Sequence, residues 1–121
     1  MGRKEDATSF LQLASAGKVR KAYEKHIHPD FIHHNIYFKG DRESFLIAMQ
    51  ENAREYPNKK YQTLRTLEDG DLVAVHGRVD LSPEMVFGVI HIFRFAGDKI
   101  IEAWEASQQT LKDSPNEHGL F

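Results

Sequence analysis

MVFGVIHIFRFAGDKIIEAWEASQQ, residues 85–109, decides the fold. Met85 to Phe95 is a run of apolar, β-branched and aromatic residues, Gly97-Asp98 is a turn signal, and Lys99 to Gln109 follows as a second strand, so the stretch reads as a long β-hairpin. Working backwards, Ser82-Pro83-Glu84 is a loop and Leu72 to Leu81 is a strong β run. Asp69-Gly70 is another hairpin signal, and Tyr61 to Leu67 alternates weakly before it. Four long strands in a meander are therefore expected in the second half.

The first half has a helical period. Ala7, Phe10, Leu11 and Ala14 fall on one helix face, with Gly17 as a C-terminal cap. Val19, Ala22, Tyr23, His26 and Ile27 form a second stripe, which His28-Pro29 should end because a residue before proline is pushed out of the helical region. Asp30 to Phe38 reads as a short strand or extended segment, broken by Gly40. Asp41 can cap a third helix, whose face is Phe45, Met49, Ala53 and Tyr56. Helices segregated from an antiparallel sheet define an α+β domain. Long strands twist and curl, and helices on the concave side can leave a cone-shaped cavity.

With 121 residues the chain is expected to be one domain, spanning 1–121. Sixteen Lys and Arg against eighteen Asp and Glu give a net charge of −2, without the basic footprint of a nucleic-acid binder. No apolar run is long enough to span a bilayer. There is no Cys, hence no disulfide, thiolate metal site or cysteine nucleophile. No signal-peptide core follows Met1. A cytoplasmic protein with neither nucleic-acid nor membrane partner is the expectation.

Seven histidines are the unusual feature of the composition. His26, His28, His33 and His34 cluster in sequence, but no spacing among them matches a metal motif, and neighbours on a strand point to opposite faces. They read as polar residues at helix ends and on the sheet, and no metal or cofactor is expected. His91 is surrounded by apolar residues on a central strand, a candidate for proton transfer or for a satisfied core position. Glu105, in Ala103-Trp104-Glu105-Ala106, is a carboxylate among apolar neighbours, where burial would raise its pKa and fit it for acid–base work. Glu102 reads as a surface charge across from Arg94. Register decides whether His91 and Glu105 meet. A two-residue loop at Gly97-Asp98 sets His91 opposite Trp104, whereas a three-residue loop with a glycine bulge sets it opposite Glu105. His76 pairs with Thr63 if Asp69-Gly70 is a two-residue turn, and then shares a polar face with Tyr61 and Arg65.

Several pieces in order carry a resemblance: His34-Asn35, Gly40, Asp69-Gly70-Asp71 with Val73 and His76, Ile92-Phe93-Arg94-Phe95, Lys99-Ile100-Ile101-Glu102-x-Trp104-Glu105 with Gln108, and Asn116-x-x-x-Leu120-Phe121. Over about residues 19–121 the chain resembles the SnoaL-like polyketide cyclases, of the nuclear-transport-factor-like and ketosteroid-isomerase-like fold. The resemblance implies a curved antiparallel sheet wrapped by three N-terminal helices into a cone-shaped barrel, and a homodimer through the sheet face. It also implies an acid–base pair on the last hairpin, at the positions of His91 and Glu105, which favours the bulged register. The chain departs from the pattern in having Glu105 where Asp is usual and Ala103 where a histidine is often seen. Many relatives also carry Asp in place of His91.

The reading that follows is a metal-free enzyme acting on a small hydrophobic carbonyl compound, as an aldol-type cyclase or isomerase. His91 and Glu105 would be catalytic. Tyr23, Phe31, Phe45, Met49 and Trp104 are candidate substrate-binding walls, and His34 a rim or pocket residue. A non-catalytic small-molecule binder of the same fold is one competitor. A dimerisation module, with a filled cone and an apolar outer sheet face, is the other.

Overall fold

The computed structural model describes residues 2–121. Three helices, α1 (Arg3–Ser15), α2 (Val19–His26) and α3 (Arg42–Glu55), pack on a five-stranded sheet. Its strands are β1 (Ile27–His33), β2 (Lys60–Asp69), β3 (Leu72–Ser82), β4 (Met85–Ala96) and β5 (Lys99–Gln109), in the order β1-β5-β4-β3-β2. β2 to β5 form the expected antiparallel meander, and β1 adds to β5 in parallel. β1 and β2 do not pair, so the sheet is an open cone and not a closed barrel.

The helices form where their sequences favour them. α1 buries Ala7, Phe10, Leu11 and Ala14, the expected stripe. α2 buries Val19, Ala22, Tyr23 and His26. The Asp41 carboxylate caps α3 by accepting the Ser44 backbone N–H at 3.0 Å. Leu46 is the buried residue of α3, while Phe45 and Met49 pack at the edge of the core.

Three expectations are corrected. The short strand lies at Ile27–His33, not at Asp30–Phe38, and it runs through Pro29. That is possible because β1 is an edge strand whose pairing with β5 is irregular between Ile27 and Ile32, where a missing N–H breaks no ladder bond. The β2–β3 turn is one residue further along, with Asp69 opposite Leu72, and β2 carries a bulge between Thr63 and Arg65. His76 therefore faces Arg65, and Tyr61 lies on the opposite, concave side.

The third correction concerns β4–β5 and is the decisive one. Its loop is the two-residue Gly97-Asp98, with Ala96 opposite Lys99; Gly97 supplies the positive φ of 62° that such a tight turn demands. Between Arg94 and Phe95 the register slips, because Ile101 is an extra residue: Phe95 faces Ile100 but Arg94 faces Glu102. Beyond this bulge His91 stands opposite Glu105. The facing pair is thus produced by a bulge inside the strand and not by a longer loop.

The core lies between helices and sheet. Phe10 meets Phe93 edge-on at 5.9 Å, and Val73, Val75, Phe95 and Ile100 complete the floor. Gly77 leaves room for a ring: a Cβ there would come within 2.6 Å of the Tyr61 hydroxyl. Gly77→Ala should therefore lower stability by about 1–3 kcal/mol in urea or thermal unfolding, and adding Tyr61→Leu should recover part of the loss.

Two histidines belong to this interior. His26 meets the Ser9 hydroxyl at 2.9 Å, and His33 packs against Phe45 at 4.3 Å. Burial holds both below the ordinary histidine value of 6.5, with Asp6 opposing it at His26 and Asp41 and Glu105 at His33. Below 6.5 the unfolded chain takes up protons that the folded chain resists, so stability is full above that pH and falls as pH drops. Thermal melts from pH 8 to pH 5, in units of about one, should show a falling Tm, and His33→Phe should flatten the slope.

Candidate active site

The concave side of the sheet does not fill with side chains. A cavity of about 290 Å³ remains between α1, α3 and the strands. Its wall is mostly apolar, from Leu11, Phe45, Met49, Val79, Phe87 and Val89 among others. Alternation along a strand sends every second side chain inward, which is why His91 and Val89 on β4, and Glu105 and Ser107 on β5, share it.

His91 Nε2 lies 3.6 Å from Glu105 Oε1, with side-chain exposures of 14% and 29%. That separation is longer than a hydrogen bond and is an ion-pair distance; catalytic pairs without ligand are commonly loose and tighten when it binds. The His91 ring lies parallel to Phe93 at 5.5 Å, which fixes its plane. His91 Nδ1 is buried and has no hydrogen-bond partner among the described residues, so Nε2 is the nitrogen that meets the carboxylate.

Burial is the largest single influence and pushes the Glu105 carboxyl up, but His91, Asn35 and His33 together outweigh it, and the group is held below its ordinary value of 4.5. The expected rise is therefore reversed: apolar walls alone would raise the pKa, but the N–H groups and partial positive charge that face the carboxylate favour its ionised form. Glu105 is a carboxylate at neutral pH, a base and not an acid.

Behind the pair is a second void of about 40 Å³, bordered by His33, Asn35, His91 and Glu105. His33 Nδ1 accepts the Asn35 backbone N–H at 3.3 Å, which leaves the proton of the neutral ring on Nε2. His33 Nε2 is buried without a partner among the described residues. Among those residues no group of three or more His, Asp and Glu side chains is placed to hold a metal ion, and no helix is long and apolar enough to cross a membrane.

The candidate walls divide. Phe45 and Met49 line the cavity. Tyr23 and Phe31 do not: both are buried in the core, stacked edge-on at 6.3 Å, and Tyr23 donates to the Arg42 carbonyl at 3.3 Å. Trp104 borders only the small void, because the bulge that turns Glu105 inward turns the indole outward. It stacks on His34 at 5.0 Å, and His34 bonds Glu102 at 2.8 Å on that same outer face, so His34 is not at the pocket. Glu102 also meets Arg94 at 3.4 Å, as the strand geometry predicts.

Sequence reasoning missed Asn35, Tyr61, Lys59 and Asn52, all of which line the cavity. Lys59 and Asn52 are joined at 2.7 Å, Nζ to Oδ1. They lie at a helix end and in the following turn, where no period signals the direction of a side chain. Tyr61 had a signal in Gly77, whose missing side chain makes room for it.

Solved structures with this architecture are numerous. IdmH of Streptomyces antibioticus, a candidate polyketide cyclase, superposes with a TM-score of 0.76 over 89% of this chain and 93% of its own, at 17% identity. AclR of Streptomyces galilaeus, a candidate hydroxylase, gives 0.77 over 88% of each chain at 14% identity. An NTF2-like protein of Cytophaga hutchinsonii gives 0.73 over 89% and 91% at 10% identity. At these identities the likeness is one of fold. No functionally curated protein matches the sequence. The SnoaL-like domain model matches residues 7–103, most of this chain, and the chain belongs to the SnoaL-like family.

Proposed function

We propose that this protein catalyses proton transfer next to the carbonyl group of a small hydrophobic compound, in an aldol-type cyclisation or a double-bond isomerisation. One observation carries the reading: the Glu105 carboxylate faces His91 at 3.6 Å on the wall of a mostly apolar cavity. The carbon–hydrogen bond adjacent to the carbonyl breaks, its proton goes to Glu105, and its electron pair moves onto the carbonyl oxygen as an enolate. Once Glu105 is neutral, the N–H groups of His91 and Asn35 that faced its charge are free to face the enolate oxygen. An apolar ligand filling the cavity displaces water from the carboxylate, which raises its basicity when it is needed. The IdmH precedent of a candidate polyketide cyclase on this fold agrees with this chemistry.

The test is deuterium uptake from D2O by 2-tetralone, a bicyclic ketone of suitable size, followed by NMR. The protein should accelerate exchange over buffer, and Glu105→Gln should remove about 10²–10⁴ of that acceleration. Activity is present above the Glu105 pKa and is lost as pH falls through it, so the acid limb should lie below 4.5. His91→Leu removes the main influence that lowers this pKa, and should move the acid limb to higher pH. Exchange retained in Glu105→Gln, or no acceleration by the native protein, sinks the reading.

The homodimer through the sheet face stands as a second proposal. Ile90 and Ile92, at 50% and 38% exposure, sit on the outer face of a central strand, where a second copy would cover them. Sedimentation should show a dimer in the native chain, and Ile92→Asp should shift it towards monomer.

A further inference from the structure

The cavity has an acidic end and a basic end. Glu105 and His91 mark the first. Lys59 marks the second, and among the described residues it is the one Lys or Arg that lines the cavity. Tyr61, two residues on, is level with Val79 and Phe87 across the sheet, while Glu105 is level with His91. Four residues of β4 separate those levels, ~13 Å at the usual strand rise.

Lys59 is poorly explained as a structural residue. It is half-buried, and among the described residues it makes no ion pair. The Asn52 carbonyl oxygen takes one of its three N–H donors. Its other donors have no hydrogen-bond partner among the described residues, and the cavity it lines includes the apolar side chains of Leu81, Phe87 and Val79. Desolvation by this surrounding lowers the Lys59 pKa from its ordinary 10.5. A half-buried ammonium with donors to spare next to apolar surface is a group prepared for an acceptor that arrives with a ligand.

We infer that Lys59, steadied by Asn52, is an anion subsite that selects ligands carrying a carboxylate or comparable acidic group at the end remote from the one that meets Glu105. The inference rests on the cavity being the ligand site, as proposed above, but not on turnover. It narrows the substrate class to elongated hydrophobic acids whose apolar or carbonyl-bearing end enters first. The reverse orientation would set the acid against the Glu105 carboxylate, and like charges exclude it.

The probes are 6-phenylhexanoate and its uncharged amide, 6-phenylhexanamide, which share length and shape. Each is titrated into the full chain at neutral pH, with backbone amide signals read by NMR. The native protein should bind the carboxylate about tenfold more tightly, near the lower end of what a charge-assisted hydrogen bond supplies. Lys59→Met should abolish the difference by weakening carboxylate binding far more than amide binding, and Lys59→Arg should keep most of it. Equal affinity of the native chain for both probes, with shifts confined to cavity residues, overturns the subsite and leaves the cavity reading intact. That comparison needs no variant, so it decides the matter even if Lys59→Met fails to fold. A preference that survives in a folded Lys59→Met also overturns it. No shift of cavity residues with either probe overturns both the subsite and the cavity reading.

Discussion

One extra residue in β5 governs the rest. Side chains on a strand alternate between faces, so inserting Ile101 into the ladder exchanges inside and outside for everything after it. Without the bulge, Glu102 and Trp104 would point to the cavity and Glu105 to the surface. With it, Ala103 packs in the core, Glu105 enters the cavity, and Trp104 joins His34 and Arg94 outside. The acid–base pair, the apolar floor beneath it and the charged outer surface all depend on a single slip of register.

The bulge also explains how a low-dielectric wall can hold an ionised carboxylate. Burial alone would neutralise Glu105. The register sets it directly across from His91, and the chain leaving β1 brings His33 and Asn35 to the same place. These groups answer the charge locally. The outer face is treated differently: Asp71, Arg94, Glu102 and His34 form a chain of contacts between 2.8 and 3.4 Å in partly solvated surroundings, where each contributes little.

Much of this was legible in the sequence. The helical stripes of α1 and α2 follow from the period of apolar residues, and the meander of β2–β5 from apolar, β-branched runs set between turn signals. The α+β class follows from their segregation. The meeting of His91 with Glu105 was legible only as one of two registers, because a bulge leaves no composition signal: Ile100-Ile101 looks like any apolar pair. Residues 34–38 were misread for a related reason. His34 to Phe38 has strand composition, yet the chain leaves the sheet after His33 and is replaced at the edge by the Pro29-containing segment, whose proline argued against it. Tyr23, Phe31 and Trp104 were read as cavity walls and do not line the main cavity, because composition cannot say whether a ring fills a core, lines a cavity or covers the far face.

The open cone carries a cost at its rim. Because β1 and β2 do not pair, β2 ends the sheet with a row of backbone groups that another chain could extend. The bulge near Leu64 kinks that row, and Lys60, Arg65, Glu68 and Asp69 set exposed charges along it. Strand-to-strand addition would have to bury those charges and straighten the kink. This edge is thereby guarded against aggregation, so the sheet can end at β2 without a pairing partner.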